Sequence, residues 1–309
     1  MTGRDRSNRV DERVSDRSAR DPGHAGREGS ADLATAKVTL PSTDPAFARI
    51  VTAGNRAATV VRARDLAVHF GEVRALDGVD LEVRDGEFIA LLGHSGSGKS
   101  TFLRSINGLV EPTRGTLEVA GRTLPGLGRD QLRGLRGDVG FVFQQFNLVP
   151  RLSALTNVLV GGLPDARVAP SLAYRFSRDQ RRHALELLGQ LGLLPRATQQ
   201  VRHLSGGEQQ RVGIARALMQ QPSIVLADEP VASLDPKLAG SVLEDLRRLA
   251  RERGIPVIAS LHVVALARRF ADRVVALSDG KVVFDGPSHD FTDEEVRRTY
   301  GYADEYGTE

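Results

Sequence analysis

Cysteine and tryptophan are absent from the 309 residues, and aromatic residues make up only 5% of the chain. The lack of cysteine excludes disulfide bonds and thiolate metal sites. Long hydrophobic runs are also missing: the longest, such as residues 88–92 and 224–227, are far shorter than the roughly 20 residues that a membrane-spanning helix needs. The N-terminus carries Arg and Asp instead of an apolar signal segment. We therefore expect a cytoplasmic protein without a membrane span.

A large excess of positive charge is lacking as well. Lys and Arg number 42 against 39 Asp and Glu, for a net charge of +3, and just four of the basic residues are Lys. The basic residues are interleaved with acidic ones and form no stripe along the sequence. Because a nucleic-acid-binding surface needs clustered basic side chains, we expect no nucleic-acid partner.

Composition divides the chain into three parts. Residues 1–60 are rich in Arg, Asp, Ser, Gly and Ala and show no sustained period, which predicts a disordered N-terminal extension; a docking tail is the alternative. Residues 61–301 form the predicted folded domain, and residues 302–309 form a short tail. Within the domain, short apolar runs alternate with helical patterns, so we predict an α/β fold with a mostly parallel core sheet.

The order of strand and helix patterns predicts two further substructures. The first two strands, joined by a turn at Asp77-Gly78, predict a small antiparallel β-subdomain. Between about residues 147 and 219 strand patterns stop and helical patterns follow, notably at 181–191 and 208–219, which predicts an inserted helical subdomain. The predicted strands are residues 66–70, 79–83, 88–92, 139–143, 223–227, 257–261, 274–277 and 281–284.

A glycine-rich loop follows the predicted strand at 88–92. Residues 93–100 read Gly-His-Ser-Gly-Ser-Gly-Lys-Ser, which matches the P-loop pattern G-x-x-x-x-G-K-[ST] between a strand and a helix. Lys99 would reach the β- and γ-phosphates of ATP, and Ser100 would bind Mg²⁺. An ordinary glycine turn is the competing interpretation, and the full match disfavours it. The predicted nucleotide-binding residues of this segment are Gly93, His94, Ser95, Gly96, Ser97, Gly98, Lys99, Ser100 and Thr101.

Two carboxylates follow the apolar run 224–227. Asp228 would hold Mg²⁺, directly or through water, and Glu229 is placed to act as the general base that polarises the attacking water. An Asp-Glu pair after a strand is often only a solvated turn. The presence of the P-loop favours the functional interpretation.

A second candidate anion site lies at residues 204–211, which read Leu-Ser-Gly-Gly-Glu-Gln-Gln-Arg before a helical pattern. The Ser205 hydroxyl and the N–H groups of Gly206 and Gly207 would bind an anion at the helix N-terminus, although they also suit an ordinary helix start. The string resembles the signature of ABC-type ATPases. Two anion sites in one chain are explained if the signature of one subunit closes over ATP in the P-loop of another, which implies a head-to-tail homodimer.

Four further residues match elements of the ABC family in the family's order. Gln144 resembles the Q-loop glutamine that senses Mg²⁺ and the attacking water and links the site to the helical subdomain. Asp235 lies in a Ser-Leu-Asp string that resembles the D-loop, which crosses to the opposite subunit. His262 resembles the switch histidine that contacts the γ-phosphate, and Phe70 resembles the aromatic residue that stacks on adenine. A structural cap and an ordinary core aromatic are the respective alternatives for the last two.

The resemblance covers about residues 61–301 and implies a P-loop NTPase of the ABC type. It implies ATP hydrolysis coupled to import, a separate multipass membrane permease, an extracytoplasmic substrate-binding protein, and a peripheral location on the cytoplasmic face of the bacterial cell membrane. Residues 227–236, 260–262, 279–287 and an insertion around 172–176 look most like phosphonate importer ATPases. The alternatives are an importer of an amino acid or another oxyanion, and a non-transport ABC ATPase such as an accessory subunit of a phosphonate-degrading complex.

Overall fold

The computed structural model of the protein describes residues 58–163 and 176–301. Most of the predicted N-terminal extension, the predicted tail at 302–309 and residues 172–175 of the predicted insertion lie outside the described residues. The first strand begins at Thr59. Its first two residues therefore fall inside the stretch that composition assigns to the extension.

Two sheets and a set of helices make up the described part of the chain. The strands are β1 (Thr59–Phe70), β2 (Val73–Arg84), β3 (Phe88–Leu92), β4 (Arg114–Val119), β5 (Arg122–Leu124), β6 (Val139–Val142), β7 (Ile224–Ala227), β8 (Val257–Ser260), β9 (Arg273–Ser278) and β10 (Lys281–Pro287). The α-helices are α1 (Lys99–Ile106), α2 (Arg129–Asp138), α3 (Ala154–Gly161), α4 (Arg178–Gln190), α5 (Gly206–Leu218), α6 (Pro236–Arg253), α7 (Val264–Phe270) and α8 (Asp293–Tyr300).

The larger sheet has the strand order β10-β9-β3-β8-β7-β6. All of its pairs are parallel except β10 with β9. β3, β6, β7 and β8 are buried along their whole length, as is typical of a parallel sheet covered on both faces. Successive β3 side chains alternate between two hydrophobic clusters: Ala90 and Leu92 belong to one, and Ile89 and Leu91 to the other. The predicted α/β fold with a mostly parallel core sheet is confirmed.

The smaller sheet is antiparallel, with the order β2-β1-β4-β5. The predicted antiparallel pairing of the first two strands is confirmed, but the predicted position of the turn between them, at Asp77-Gly78, is wrong. Phe70 pairs with Val73, so the turn lies between these residues, and Asp77 and Gly78 lie inside β2. The register shifts there, and Gly78 has a φ of 79°. A glycine at positive φ suits a β-bulge as well as a hairpin turn, so the dipeptide alone does not distinguish them.

The helices between β6 and β7 pack on one another, with α3 against both α4 and α5. The helical patterns predicted at 181–191 and 208–219 correspond to α4 and α5, which begin earlier because Ser177 and Ser205 cap their N-termini. The loop before α3 is held by the buried Asn157, whose amide accepts from the N–H of Val149 and donates to its carbonyl. Among the described residues, no helix combines the length and hydrophobicity that a membrane span requires.

Candidate active site

The loop between β3 and α1 leaves the N-terminus of α1 open. Gly98 precedes the helix with a φ of 105°, no side chain caps the helix, and its first turn carries no acidic residue. A Cβ on Gly98 would lie 2.5 Å from the carbonyl oxygen of Ala75, so only glycine fits. The free N–H groups and the helix dipole therefore favour an anion at this end of the helix.

Lys99 folds back over this loop. Its side chain is 6% exposed, and Nζ donates to the carbonyl oxygens of Gly93 (2.7 Å) and His94 (2.9 Å). Burial lowers the pKa of Lys99, and the nearby carboxylates of Glu229 and Asp228 oppose that shift. A phosphate would replace the two carbonyls with a stronger, charged acceptor.

The hydroxyl of Ser97 gives a second sign that the loop fits a phosphate. Ser97 is fully buried, and its Oγ has no hydrogen-bond partner among the described residues. A buried hydroxyl without a partner is rare in folded proteins unless a ligand or water supplies one. The uncapped helix, Lys99 and this hydroxyl together suit the phosphates of a nucleotide.

Ser100 and Asp228 form the candidate metal position. The Ser100 hydroxyl donates to Oδ1 of Asp228 over 3.0 Å. Within residues 58–163 and 176–301, no group of three or more His, Cys, Asp or Glu side chains could hold a metal ion. Mg²⁺ in phosphate sites commonly takes one or two protein oxygens and completes its shell with phosphate and water. The pair therefore fits Mg²⁺ that arrives with a nucleotide.

Ser260 hydrogen-bonds to both acidic residues. Sequence analysis did not predict this role for Ser260. The register of β7 and β8 pairs Ala227 with Ala259, so the residues that follow meet at the same sheet edge. The buried Ser260 hydroxyl donates to Oδ1 of Asp228 (3.0 Å) and accepts from the N–H of Glu229 (2.8 Å). Glu229 has a φ of 49°, which is unusual for a residue other than glycine. The serine thus holds the backbone that presents the predicted general base.

The Glu229 carboxylate brings three predicted residues together. Oε1 lies 2.6 Å from Nε2 of His262, and Oε2 accepts from Nε2 of Gln144 over 2.8 Å. The Glu229 side chain is 22% exposed and that of His262 is 37% exposed. Both oxygens of the predicted base are therefore engaged, at a position that solvent can still reach.

Tyr300, from α8, reaches the same site. Its hydroxyl accepts from the N–H of Gly93 at a distance of 3.2 Å. The two residues are 207 positions apart, and no local motif marks the tyrosine. The last described helix thus fixes the first glycine of the P-loop.

The signature residues lie elsewhere. Ser205 caps α5, accepting from the N–H of Glu208, while the Glu208 carboxylate accepts from the N–H of Ser205 over 2.8 Å and its pKa is lowered by that bond. Gly206 and Gly207 face Leu234 and Leu238 across the start of α6. Among the described residues, no hydrogen bond joins Ser205 to the P-loop. In the described part of the chain, the signature serine bonds to its own helix and not to the P-loop.

Asp235 and Phe70 lie at the ends of elements. The Asp235 carboxylate caps α6, with Oδ1 accepting from the N–H groups of Lys237 and Leu238, both at 3.1 Å. Phe70 is the last residue of β1 and is 53% exposed. That exposure excludes the alternative that Phe70 is an ordinary core aromatic.

Comparisons with known proteins agree on one family. The family model described as ABC transporter matches residues 76–232. The phosphonates import ATP-binding protein PhnC of Rhizobium etli is 46% identical over 238 residues, which is 77% of this chain and 85% of that protein. The phosphate-import ATP-binding protein PhnC of Mycolicibacterium smegmatis is 49% identical over 241 residues, which is 78% of this chain and 92% of that protein.

Solved structures give the same result. A dimeric ATP-binding cassette in a post-hydrolysis state, bound to ADP and Pi, is 38% identical with a TM-score of 0.62, and the match covers 74% of this chain and 98% of the cassette. Since the family model spans just over half of the 309 residues and these relatives align over most of their length, the chain belongs to the ABC transporter family.

Proposed function

We propose that the protein is the ATP-hydrolysing subunit of a bacterial importer and that the transported substrate is a phosphonate. The observation that carries the ATPase part is the continuous set of hydrogen bonds from Ser100 through Asp228 and Ser260 to Glu229. It joins the P-loop helix to the candidate base within one sheet edge. The relatives named for phosphonate import support the substrate.

Each residue of the site then has a role in hydrolysis. Lys99 binds the β- and γ-phosphates, which also lie against the N-terminus of α1. Ser100, Asp228 and Gln144 would hold Mg²⁺, which would neutralise phosphate charge. Glu229 takes a proton from the attacking water.

His262 and Gln144 change partners during this reaction. Both now engage the Glu229 carboxylate, which lowers its capacity to accept a proton from water. With ATP bound, His262 would contact the γ-phosphate and Gln144 would turn toward the Mg²⁺ position beside Ser100 and Asp228, which would leave the Glu229 carboxylate to the attacking water. Phe70 stacks on adenine, as its exposed ring allows.

The working unit is a head-to-tail homodimer. Ser205 and Gly206 are exposed and bond to no P-loop residue of their own chain among the described residues, so they are available to a second subunit. Gly207 lies beside them on the same helix end, and Asp235 lies at the neighbouring start of α6. The dimeric state of the solved cassette bound to ADP and Pi supports this arrangement.

Two other proteins complete the importer. A multipass permease receives the loop at 144–157 and the helices at 147–219, and an extracytoplasmic binding protein delivers the substrate. The subunit is then peripheral, on the cytoplasmic face of the cell membrane. The cassette comprises the predicted domain at about residues 61–301 together with the first two residues of β1, Thr59 and Val60; the residues before it form an extension and residues 302–309 a tail.

Phosphate is the second candidate substrate. The relative from Mycolicibacterium smegmatis, at 49% identity, is named for phosphate import. Phosphate and phosphonates share the tetrahedral oxyanion, and this subunit contacts neither.

The test is ATPase activity of the protein reconstituted in proteoliposomes with its copurifying permease and binding protein. Methylphosphonate, phosphate and glutamate are compared as stimulants, with Glu229→Gln as the inactive control. Selective stimulation by methylphosphonate is expected. Selective stimulation by phosphate would show that phosphate, and not a phosphonate, is the transported substrate. ATPase activity that no solute stimulates and that needs no permease would refute the importer role.

A further inference from the structure

The loop after β6 has an unusual backbone. Phe146 and Asn147 follow one another with φ values of 58° and 48°. Residues with a Cβ rarely adopt this left-handed conformation, and two in succession are rarer. Such a backbone persists only where surrounding contacts hold it.

Arg216, near the C-terminus of α5, makes those contacts. Its Nη2 donates to the carbonyl oxygen of Phe146 over 3.0 Å, and its Nη1 donates to that of Asn147. The guanidinium binds the two adjacent carbonyls with two separate nitrogens held in a rigid planar fork, whereas an ammonium group offers a single nitrogen on a flexible stem. Burial lowers the pKa of Arg216, and no carboxylate among the described residues offsets that cost. The two carbonyls are thus the partners that stabilise this cation.

The backbone of Arg216 lies in a close helix–helix contact. A Cβ on Gly161 of α3 would lie 2.2 Å from the carbonyl oxygen of Arg216. α3 and α5 therefore touch backbone to backbone at this residue. The side chain extends to the loop from this helix–helix contact, so a displacement of α5 would carry it along.

The same loop carries Gln144, and the same helix carries the signature. Gln144 donates to Oε2 of Glu229, while the N–H of Phe146 donates to the carbonyl of Phe143 and closes the turn between them. At its other end α5 begins with Gly206, capped by Ser205. A helix of 13 residues is about 20 Å long, and its backbone hydrogen bonds connect the signature end to Arg216.

We propose that Arg216 is a positioning residue that locks the 143–147 loop, so that Gln144 meets Glu229, and that it transmits displacement of the signature helix to Gln144. The inference rests on the proposed ATPase activity but not on the transported substrate. Contact at the signature end of α5 would shift Arg216, and the two carbonyls it holds would follow. Binding of a partner at the signature end of α5 would thereby change the position of Gln144 beside Glu229.

The first test is a double-mutant cycle on ATP hydrolysis by the full chain. Arg216→Lys keeps the charge but loses the fork, so we expect kcat to fall about 10–100-fold, as for other residues that orient a ligand of the metal, with ATP affinity nearly unchanged. Combined with Gln144→Ala, it should add little, because residues that act through one another are not additive. An equal loss in both backgrounds would show that Arg216 serves only the fold and would overturn the proposal.

Arg248→Lys is the matched control. Its guanidinium also donates to a backbone carbonyl, that of Gln190 at 2.8 Å, but far along the chain from the loop. Any effect of Arg248→Lys should be the same with and without Gln144→Ala. A dependence on Gln144 as strong as that of Arg216→Lys would make the coupling nonspecific and refute the proposal.

The second test does not need hydrolysis. Hydrogen exchange is measured on peptides covering residues 143–149 in the nucleotide-free chain. Arg216→Lys should speed exchange in this loop while leaving the core strands protected, and Arg248→Lys should not. Unchanged exchange in the loop would overturn the proposal, even if the protein hydrolysed no ATP and the proposed function failed.

Discussion

The Nε2 atom of His262 lies 2.6 Å from Oε1 of Glu229. The two residues follow β8 and β7, which are parallel neighbours in the core sheet. Gln144 binds the other carboxylate oxygen. The candidate base is therefore held on both sides, with one hydrogen-bond partner on each carboxylate oxygen.

Replacement of Glu229 by Gln should slow hydrolysis by about 10²–10⁴-fold without abolishing ATP binding. A general base contributes about 10²–10⁴-fold to the rate, whereas Lys99 and the P-loop remain intact. Single-turnover experiments measure hydrolysis, and gel filtration in ATP shows whether the variant forms a nucleotide-bound dimer. We expect a nucleotide-bound dimer, and a fully active monomer would refute both the base and the dimer. Lys99→Ala, which should lose ATP binding, is the control.

Replacement of Ser260 by Ala should affect both stability and rate. The partly buried N–H of Glu229 would lose its acceptor, which should cost about 1 kcal/mol of unfolding free energy. With the backbone of Glu229 released, kcat should fall while KM for ATP changes little. Ser260→Thr keeps the hydroxyl and should restore most of the rate. Equal kcat values for the Ala and Thr variants would contradict this role.

Replacement of Tyr300 by Phe should weaken ATP binding. Gly93 would lose the hydroxyl that accepts from its N–H; one net hydrogen bond of about 1 kcal/mol corresponds to a roughly fivefold rise in KM for ATP. Thr299→Val is the control, since that hydroxyl donates to Glu295 on the same helix. A KM unchanged in Tyr300→Phe, or raised equally in Thr299→Val, would argue against the contact.

Sequence motifs predict the parts of the site that are contiguous in the chain. The P-loop, Asp228 and Glu229 each follow an apolar run that becomes a buried strand, so both their identity and their place at the sheet edge follow from local pattern. Ser260 and Tyr300 were missed. They meet their partners 32 and 207 residues away, through strand register and the docking of α8, which no local pattern records.

In the fold too, only the elements with a strong local sequence pattern were predicted. Strands that are buried along their whole length stand out as apolar runs, whereas β4 and β5 were not predicted. β4 reads Arg-Gly-Thr-Leu-Glu-Val and alternates in burial over only six residues, which is too short a pattern to separate from a loop. The turn predicted at Asp77-Gly78 is wrong for a similar reason, because a β-bulge and a hairpin turn both favour glycine at positive φ.

Stability should depend on pH through His183. Burial and the charge of Arg253 lower the pKa of this histidine from 6.5. Below about pH 6.5 the unfolded chain binds a proton that the folded chain does not, so the unfolding free energy falls by up to about 1.4 kcal/mol per pH unit, until the lower folded-state pKa is reached.

Urea denaturation from pH 8 to pH 5 measures this dependence. His183→Leu should flatten the curve below pH 6.5, and His289→Gln should not, since the His289 side chain is 80% exposed. If His183→Leu left the slope unchanged, other groups would account for it.

The position of β3 at the centre of the core sheet has a consequence for synthesis. Phe88 pairs with Val257, a residue made 169 positions later, and translation at about 5–20 residues per second separates the two by roughly 10–30 s. During that interval an apolar strand has neither of its partners, β8 and β9. The β1–β2 hairpin can form early from local contacts, but the core sheet cannot be completed until β8 and β9 have been synthesised.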